Sequence, residues 1–153
     1  MPDITPFLWF NTEAEAAARF YVSVFPNARI TRIVERTEAV PVDAGKVLTV
    51  AFELDGKPFT ALNGGPYHKF TEAVSFVVHC KTQEEIDRYW NALGDGGMPG
   101  QCGWLKDRFG LSWQIVPDRL PALLSGPAAD RVMAAILSMT KLDIQALRTA
   151  AAP

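Results

Sequence analysis

The chain has 153 residues, of which 48% are hydrophobic, and it carries a formal net charge of −2 at pH 7. This suits one domain, or two small modules that share a core. Without a basic excess or an apolar run of the ~20 residues that span a bilayer, we expect neither nucleic-acid nor membrane partners. The N-terminus also lacks the pattern of a signal peptide, which predicts a cytoplasmic protein.

The first half of the sequence predicts a strand, a helix and three further strands. Thr12 to Glu15 fits a capping box that opens the helix, and Asp55-Gly56 is typical of a two-residue hairpin turn. Alternating or apolar runs define the strands. The predicted strands cover residues 4–10, 28–35, 47–54 and 57–63, and the predicted helix ends near Phe25.

The second half repeats this order. Residues 73–80 predict a strand, and Thr82 to Glu85 is a second capping box that leads into a second helix. A glycine-rich break at 94–100 is expected to hold a short strand before the hairpin of residues 101–117. We therefore predict an α+β fold of two βαβββ modules, residues 1–65 and 70–118, with a cavity between curved sheets as the place for a ligand.

The hairpin of residues 101–117 contains the most informative polar residue. In an extended strand, Ser112, Gln114 and Val116 share one face, so Gln114 lies among apolar neighbours. A half-buried amide needs partners, and Gln114 is therefore either a structural hydrogen-bonding residue or a ligand contact. Alignment of the two hairpins at Gly56 and Gly110 places Thr60 at the position equivalent to Gln114, which favours a shared polar cavity.

Residues 119–153 predict a helical extension of three short amphipathic helices. We expect these helices to pack outside the sheets or across a dimer; the alternative is a lid in which Met133, Ile136 and Leu137 seal a pocket. Cys80 and Cys102 fall in strand-like runs without metal-binding spacing, which predicts free thiols.

These motifs carry a resemblance. The paired modules resemble the vicinal oxygen chelate superfamily of glyoxalase, bleomycin-resistance and dioxygenase proteins. GGPYHKF, TQEEIDRYWNAL and CGWLKDRFGLSWQ are similar to its PhnB-like branch, often described as 3-demethylubiquinone 3-methyltransferase. The resemblance covers about residues 4–117 and implies the same fold and a homodimer.

The resemblance also implies where a metal would lie. Metal-dependent members use the first strand of each module and a glutamate that falls here on Gln114; the first-strand positions, 3–6 and 73–75, hold no histidine. Because a neutral amide is a weak metal ligand, we expect no metal. A rebuilt site on Asp3, Glu72 and Gln114 is the alternative.

The methyltransferase description lacks support in the residues, because no glycine-rich turn between a strand and a helix offers an S-adenosylmethionine site. Residues 94–97 follow a helix instead. We therefore expect a small-molecule-binding protein or an enzyme of unestablished reaction, without a cofactor. The alternatives are a metal-dependent lyase, dioxygenase or transferase, a methyltransferase, and a purely structural interaction module. The predicted ligand contacts are Trp9, Thr60, Asn63, Trp104 and Gln114.

Overall fold

The computed structural model describes residues 1–153, which divide into two compact units, Met1–Phe70 and Thr71–Pro153. Each unit holds one four-stranded mixed sheet, and the predicted α+β fold with two βαβββ modules is confirmed. Every helix is too short or too polar to span a bilayer.

The first unit contains four strands and one helix, and its strand order is β1-β4-β3-β2 with β1 and β4 parallel. The helix packs its alanines and Tyr21 on one face of the sheet, where Tyr21 stacks on Phe52 and Phe52 stacks on Phe59. The elements are β1 (Phe7–Phe10), α1 (Ala14–Val24), β2 (Arg29–Glu35), β3 (Val47–Leu54) and β4 (Lys57–Asn63).

The first predicted capping box is wrong. Helix α1 begins at Ala14, and no side chain of its first residues caps it. Asn63 at the end of β4 does so instead, because its Oδ1 accepts a hydrogen bond of 2.8 Å from the Ala14 amide. A partner 49 residues away therefore replaces the local motif.

The second unit repeats the pattern, with strand order β5-β8-β7-β6 and β5 parallel to β8. Its helix begins as predicted: Thr82 accepts a hydrogen bond from the Glu85 amide, although the Glu85 carboxylate bonds the Lys81 amide rather than that of Thr82. The elements are β5 (Ser75–Cys80), α2 (Gln83–Gly94), β6 (Met98–Pro99), β7 (Trp104–Lys106) and β8 (Ser112–Pro117).

Three helices complete the second unit: α3 (Leu120–Ser125), α4 (Ala129–Leu137) and α5 (Ile144–Ala151). Their buried apolar residues form a cluster with Val116 of β8. Gln83 of α2 attaches α5 to the module, because its amide accepts from the Ile144 amide and donates to the Leu142 carbonyl. These helices therefore pack on the second module at the end of β8.

Candidate functional site

Helix α2 packs on one face of the second sheet, and we call the other face of this sheet the open face. Strand alternation and register place two rows of side chains on it. The first row runs from Ser75 through Ser112 and Lys106 to Met98, and the second joins Val77, Gln114 and Trp104. Gln114 and Trp104, two of the predicted ligand contacts, are therefore direct cross-strand neighbours.

A cavity of about 470 Å³ lies on this face within the second unit. This volume falls in the range of small-molecule sites, and apolar groups with a few polar ones are the usual lining of such sites. The lining residues are Glu72, Met98, Pro99, Gly100, Gln101, Trp104, Leu105, Lys106 and Ser112.

Ser112 is the unusual member of this lining. Its side chain is only 1% exposed, and its Oγ has no hydrogen-bond partner. A buried hydroxyl without a partner costs about 1–3 kcal/mol, because it has lost its bonds to water and gained none. Such a group needs an explanation, and a missing ligand partner is one.

Lys106 and Glu72 form an ion pair at the cavity. The pair is partly open to solvent, with 40% of the Lys106 side chain and 60% of the Glu72 side chain exposed. The hydrogen bond from Lys106 lowers the pKa of the Glu72 carboxyl. Exposed pairs of this kind hold weakly, so Lys106 can exchange its partner at low cost.

Two tight backbone features lie next to residues that line the cavity. Cys102 and Gly103 both have positive φ, 63° and 82°, in a turn closed by a hydrogen bond from the Trp104 amide to the Gln101 carbonyl. Gly97 packs so closely that a Cβ there would lie 2.0 Å from the Lys106 carbonyl oxygen. Glycine at position 97 therefore allows close packing against β7. Cys102 lies in this turn rather than in the predicted strand.

Asp107 holds the hairpin on which the site is built. It is buried at 3% exposure, and its Oδ1 accepts from the Phe109 and Leu111 amides. Its Oδ2 accepts from the Trp113 indole at 2.9 Å. The carboxylate thus closes the turn and fixes Trp113 on the α2 side, away from the open face.

Gln114 is partly buried, and its Nε2 donates to the Ser75 Oγ at 2.9 Å. This bond orients the amide and uses one of its three hydrogen-bonding groups. Both readings of Gln114 therefore have support: the residue is structurally anchored, and it stands beside Trp104 on the open face. Its role as a ligand contact stays a prediction.

The other predicted contacts lie in the first unit. Trp9 and Thr60 share the sheet face opposite α1, and both are partly buried. The Trp9 indole donates to the Gly65 carbonyl, and its ring meets the His68 ring edge-on at 4.7 Å. Both polar and aromatic contacts of Trp9 are thus made with the segment after β4. Thr60 lies on the same sheet face.

Asn63 lies on the opposite sheet face, next to α1, with 3% exposure. Its Oδ1 accepts from the Ala14 amide, and its Nδ2 donates to the Val47 carbonyl at 2.9 Å. Both ends of the amide are bonded to backbone groups, which supports a structural role, and Asn63 lies on the other sheet face from Trp9 and Thr60. Its role as a ligand contact stays a prediction.

Two residues of the alternative metal site, Gln114 and Glu72, do not fit a divalent ion. Gln114 supplies a neutral amide that is bonded to Ser75, and Glu72 is paired with Lys106. Nowhere does the structure bring together three His, Cys, Asp or Glu side chains that could hold a metal ion.

Neither the thiols nor the tail adds a group to the cavity. Burial raises the pKa of the Cys80 thiol to about 11, which disfavours the reactive thiolate. Ile136 packs in the helical cluster, and Met133 and Leu137 are exposed at 41% and 64%. None of these three helical residues lines the cavity, so the lid alternative gains no support.

Ser112 and Lys106 line the cavity but are not among the ligand contacts predicted from sequence. The signal for Ser112 was present, since alternation places it on the same face as Gln114. Lys106 would have followed from the hairpin register, which pairs it with Ser112. That the hydroxyl lacks a partner can be learned only from the structure.

Comparisons with known proteins agree with this architecture. A family model described as 3-demethylubiquinone-9 3-methyltransferase matches residues 2–116. No curated protein matches the chain. A solved structure of a putative 3-demethylubiquinone-9 3-methyltransferase, a PhnB protein from Bacillus cereus, is 36% identical with a TM-score of 0.66, and the match covers 75% of this chain and 99% of that one.

Two more distant structures share the fold. A Pseudomonas aeruginosa protein is 20% identical over 76% of this chain and 98% of that one, with a TM-score of 0.64. The fosfomycin resistance protein FosX from Listeria monocytogenes is 13% identical over 75% and 91%, with a TM-score of 0.51. With its matched residues and its PhnB-like neighbour, this chain belongs to the family described as 3-demethylubiquinone-9 3-methyltransferase, within the vicinal oxygen chelate fold.

Proposed function

We propose that this PhnB-like protein binds a small molecule in the cavity on the open face of its second sheet, without a metal ion. The observation that carries the proposal is the buried Ser112 hydroxyl, which lines the cavity and has no partner. Trp104 adds an aromatic surface to the same lining. Gln114, the cross-strand neighbour of Trp104, lies outside the lining, and its bond to Ser75 leaves its amide oxygen free to accept.

The size of the cavity and its mainly apolar lining suit a planar molecule of about two fused rings. Naphthalene-2-carboxamide and naphthalene-2-carboxylate are matched probes of equal heavy-atom number. At about −0.3 kcal/mol per heavy atom, such a probe reaches a Kd of about 1 mM. Calorimetric titration is sensitive enough to measure this affinity at high protein concentration.

The test compares wild type with Trp104→Leu, which removes the aromatic surface from the cavity. We expect at least one probe to bind the wild type and Trp104→Leu to weaken it about tenfold, a loss in the range of aromatic contacts. Trp90→Leu, a tryptophan change in α2 outside the cavity lining, is the matched control. Absence of binding by both probes, or equal weakening in both variants, would overturn the proposal.

The family description provides a second candidate, a methyltransferase. Thermal-shift titration with S-adenosylmethionine tests it, because a ligand that binds the folded state raises the melting temperature. A saturable shift that Trp104→Leu abolishes would favour methyl transfer at this cavity. A parallel titration with divalent ions tests the metal-dependent alternative, and a tightly held ion would overturn the metal-free proposal.

Three earlier expectations stay predictions. Contacts of Trp9 and Thr60 with a ligand are supported by their shared sheet face. The homodimer is supported by large apolar side chains that are exposed on α4, namely Met133 and Leu137. The cytoplasmic location rests on the sequence.

A further inference from the structure

The cavity carries an asymmetry of charge that bears on the chemical class of its ligand. Lys106 lies in β7 as the direct cross-strand neighbour of Ser112, the residue with the unpartnered hydroxyl. Glu72 lies before β5, outside the sheet, with most of its side chain exposed. The cation is thus built into the sheet beside the buried hydroxyl, and the carboxylate approaches from an exposed segment.

We propose that the ligand of this cavity carries an anionic group, such as a carboxylate, which replaces Glu72 as the partner of Lys106 and accepts a hydrogen bond from Ser112. This inference rests on the function proposed above and specifies the ligand class of the same site. Lys106 supplies charge and donors, and the Ser112 hydroxyl supplies one donor. Both groups are thus complementary to an acceptor with negative charge.

The Glu72 carboxylate then acts as an internal competitor. It holds Lys106 in the free protein and must release Lys106 when the ligand binds, at a cost that is small for an exposed ion pair. The Ser112 hydroxyl, in contrast, has no competitor to release. Removal of Glu72 should therefore strengthen binding of an anion, whereas removal of Lys106 should weaken it.

The experiment measures the affinity of naphthalene-2-carboxylate and naphthalene-2-carboxamide for wild type, Glu72→Gln and Lys106→Gln by calorimetry. We expect the carboxylate to bind wild type more tightly than the amide. Glu72→Gln should raise carboxylate affinity about two- to fivefold, and Lys106→Gln should lower it about tenfold. The amide should change less than twofold in either variant.

One control variant and three outcomes distinguish failure of this inference from failure of the proposed function. Lys141→Gln removes a lysine of the same unit that pairs with Asp87 outside the cavity, and it should leave both affinities unchanged. If both probes bind equally and Trp104→Leu weakens both, the cavity binds small molecules but the anionic class is wrong. If Glu72→Gln weakens carboxylate binding, Glu72 is a direct contact and the competitor role is overturned. If neither probe binds, the proposed function itself fails.

Discussion

Two buried polar side chains, Asn63 in the first unit and Ser112 in the second, show opposite hydrogen-bonding states. Asn63 is 3% exposed and bonds the backbone on both sides, to Ala14 and Val47. Ser112 is 1% exposed and has no partner. Burial of a polar group is therefore not a sign of a ligand site; the difference lies in whether the protein itself supplies the partner.

Asp107 sharpens this comparison, because it is a satisfied polar group in the same unit as Ser112. Asp107→Ala would leave the two backbone amides and the Trp113 indole without their acceptor. We expect a loss of about 3–5 kcal/mol in the free energy of unfolding, since each stranded buried donor costs about 1–3 kcal/mol. Urea unfolding measures this loss.

Asp107→Asn is the matched variant for this prediction. It retains one acceptor oxygen for the two amides and replaces the oxygen that faces Trp113, so its loss should be smaller than that of Asp107→Ala. Equal losses in the two variants would show that the hydrogen bonds of Asp107 do not hold the hairpin.

Asn63 provides the corresponding test in the first unit. Asn63→Ala removes the cap of α1 and strands the Val47 carbonyl, which should cost about 2–4 kcal/mol in urea unfolding. The exposed Asn91→Ala in α2 should change stability by less than about 0.5 kcal/mol. Neither variant should alter the affinity of a naphthalene probe, because neither residue lines the cavity. A selective loss of affinity in Asn63→Ala without a loss of stability would instead support the prediction that Asn63 is a ligand contact.

The fold could be predicted from sequence because its signals are local and occur twice. The hairpin at Asp55-Gly56 joins strands with the predicted bounds, Val47–Leu54 and Lys57–Asn63. The capping box at Thr82 also forms. The box at Thr12 fails because Asn63, distant in sequence, supplies the acceptor, and no local pattern contains that contact.

The site was harder to predict because sequence gives the face of a residue but not its partners. Alternation placed Ser112, Gln114 and Val116 on one face, and the register agrees. Yet Gln114 is bonded to Ser75, Val116 is covered by the helical extension, and Ser112 has no partner. Three residues with one sequence pattern thus have three different environments, which tertiary packing determines.

The measurement that tests the central claim most directly pairs the stability of Ser112→Ala with its affinity for naphthalene-2-carboxylate. If the Ser112 hydroxyl serves to bind a ligand, its removal should raise the free energy of unfolding of the free protein by about 1 kcal/mol. The same change should weaken probe binding about fivefold, the worth of one hydrogen bond. Ser138→Ala, which changes an exposed serine on the helical extension, is the control. A Ser112→Ala protein that is less stable and binds the probe as wild type does would contradict the account.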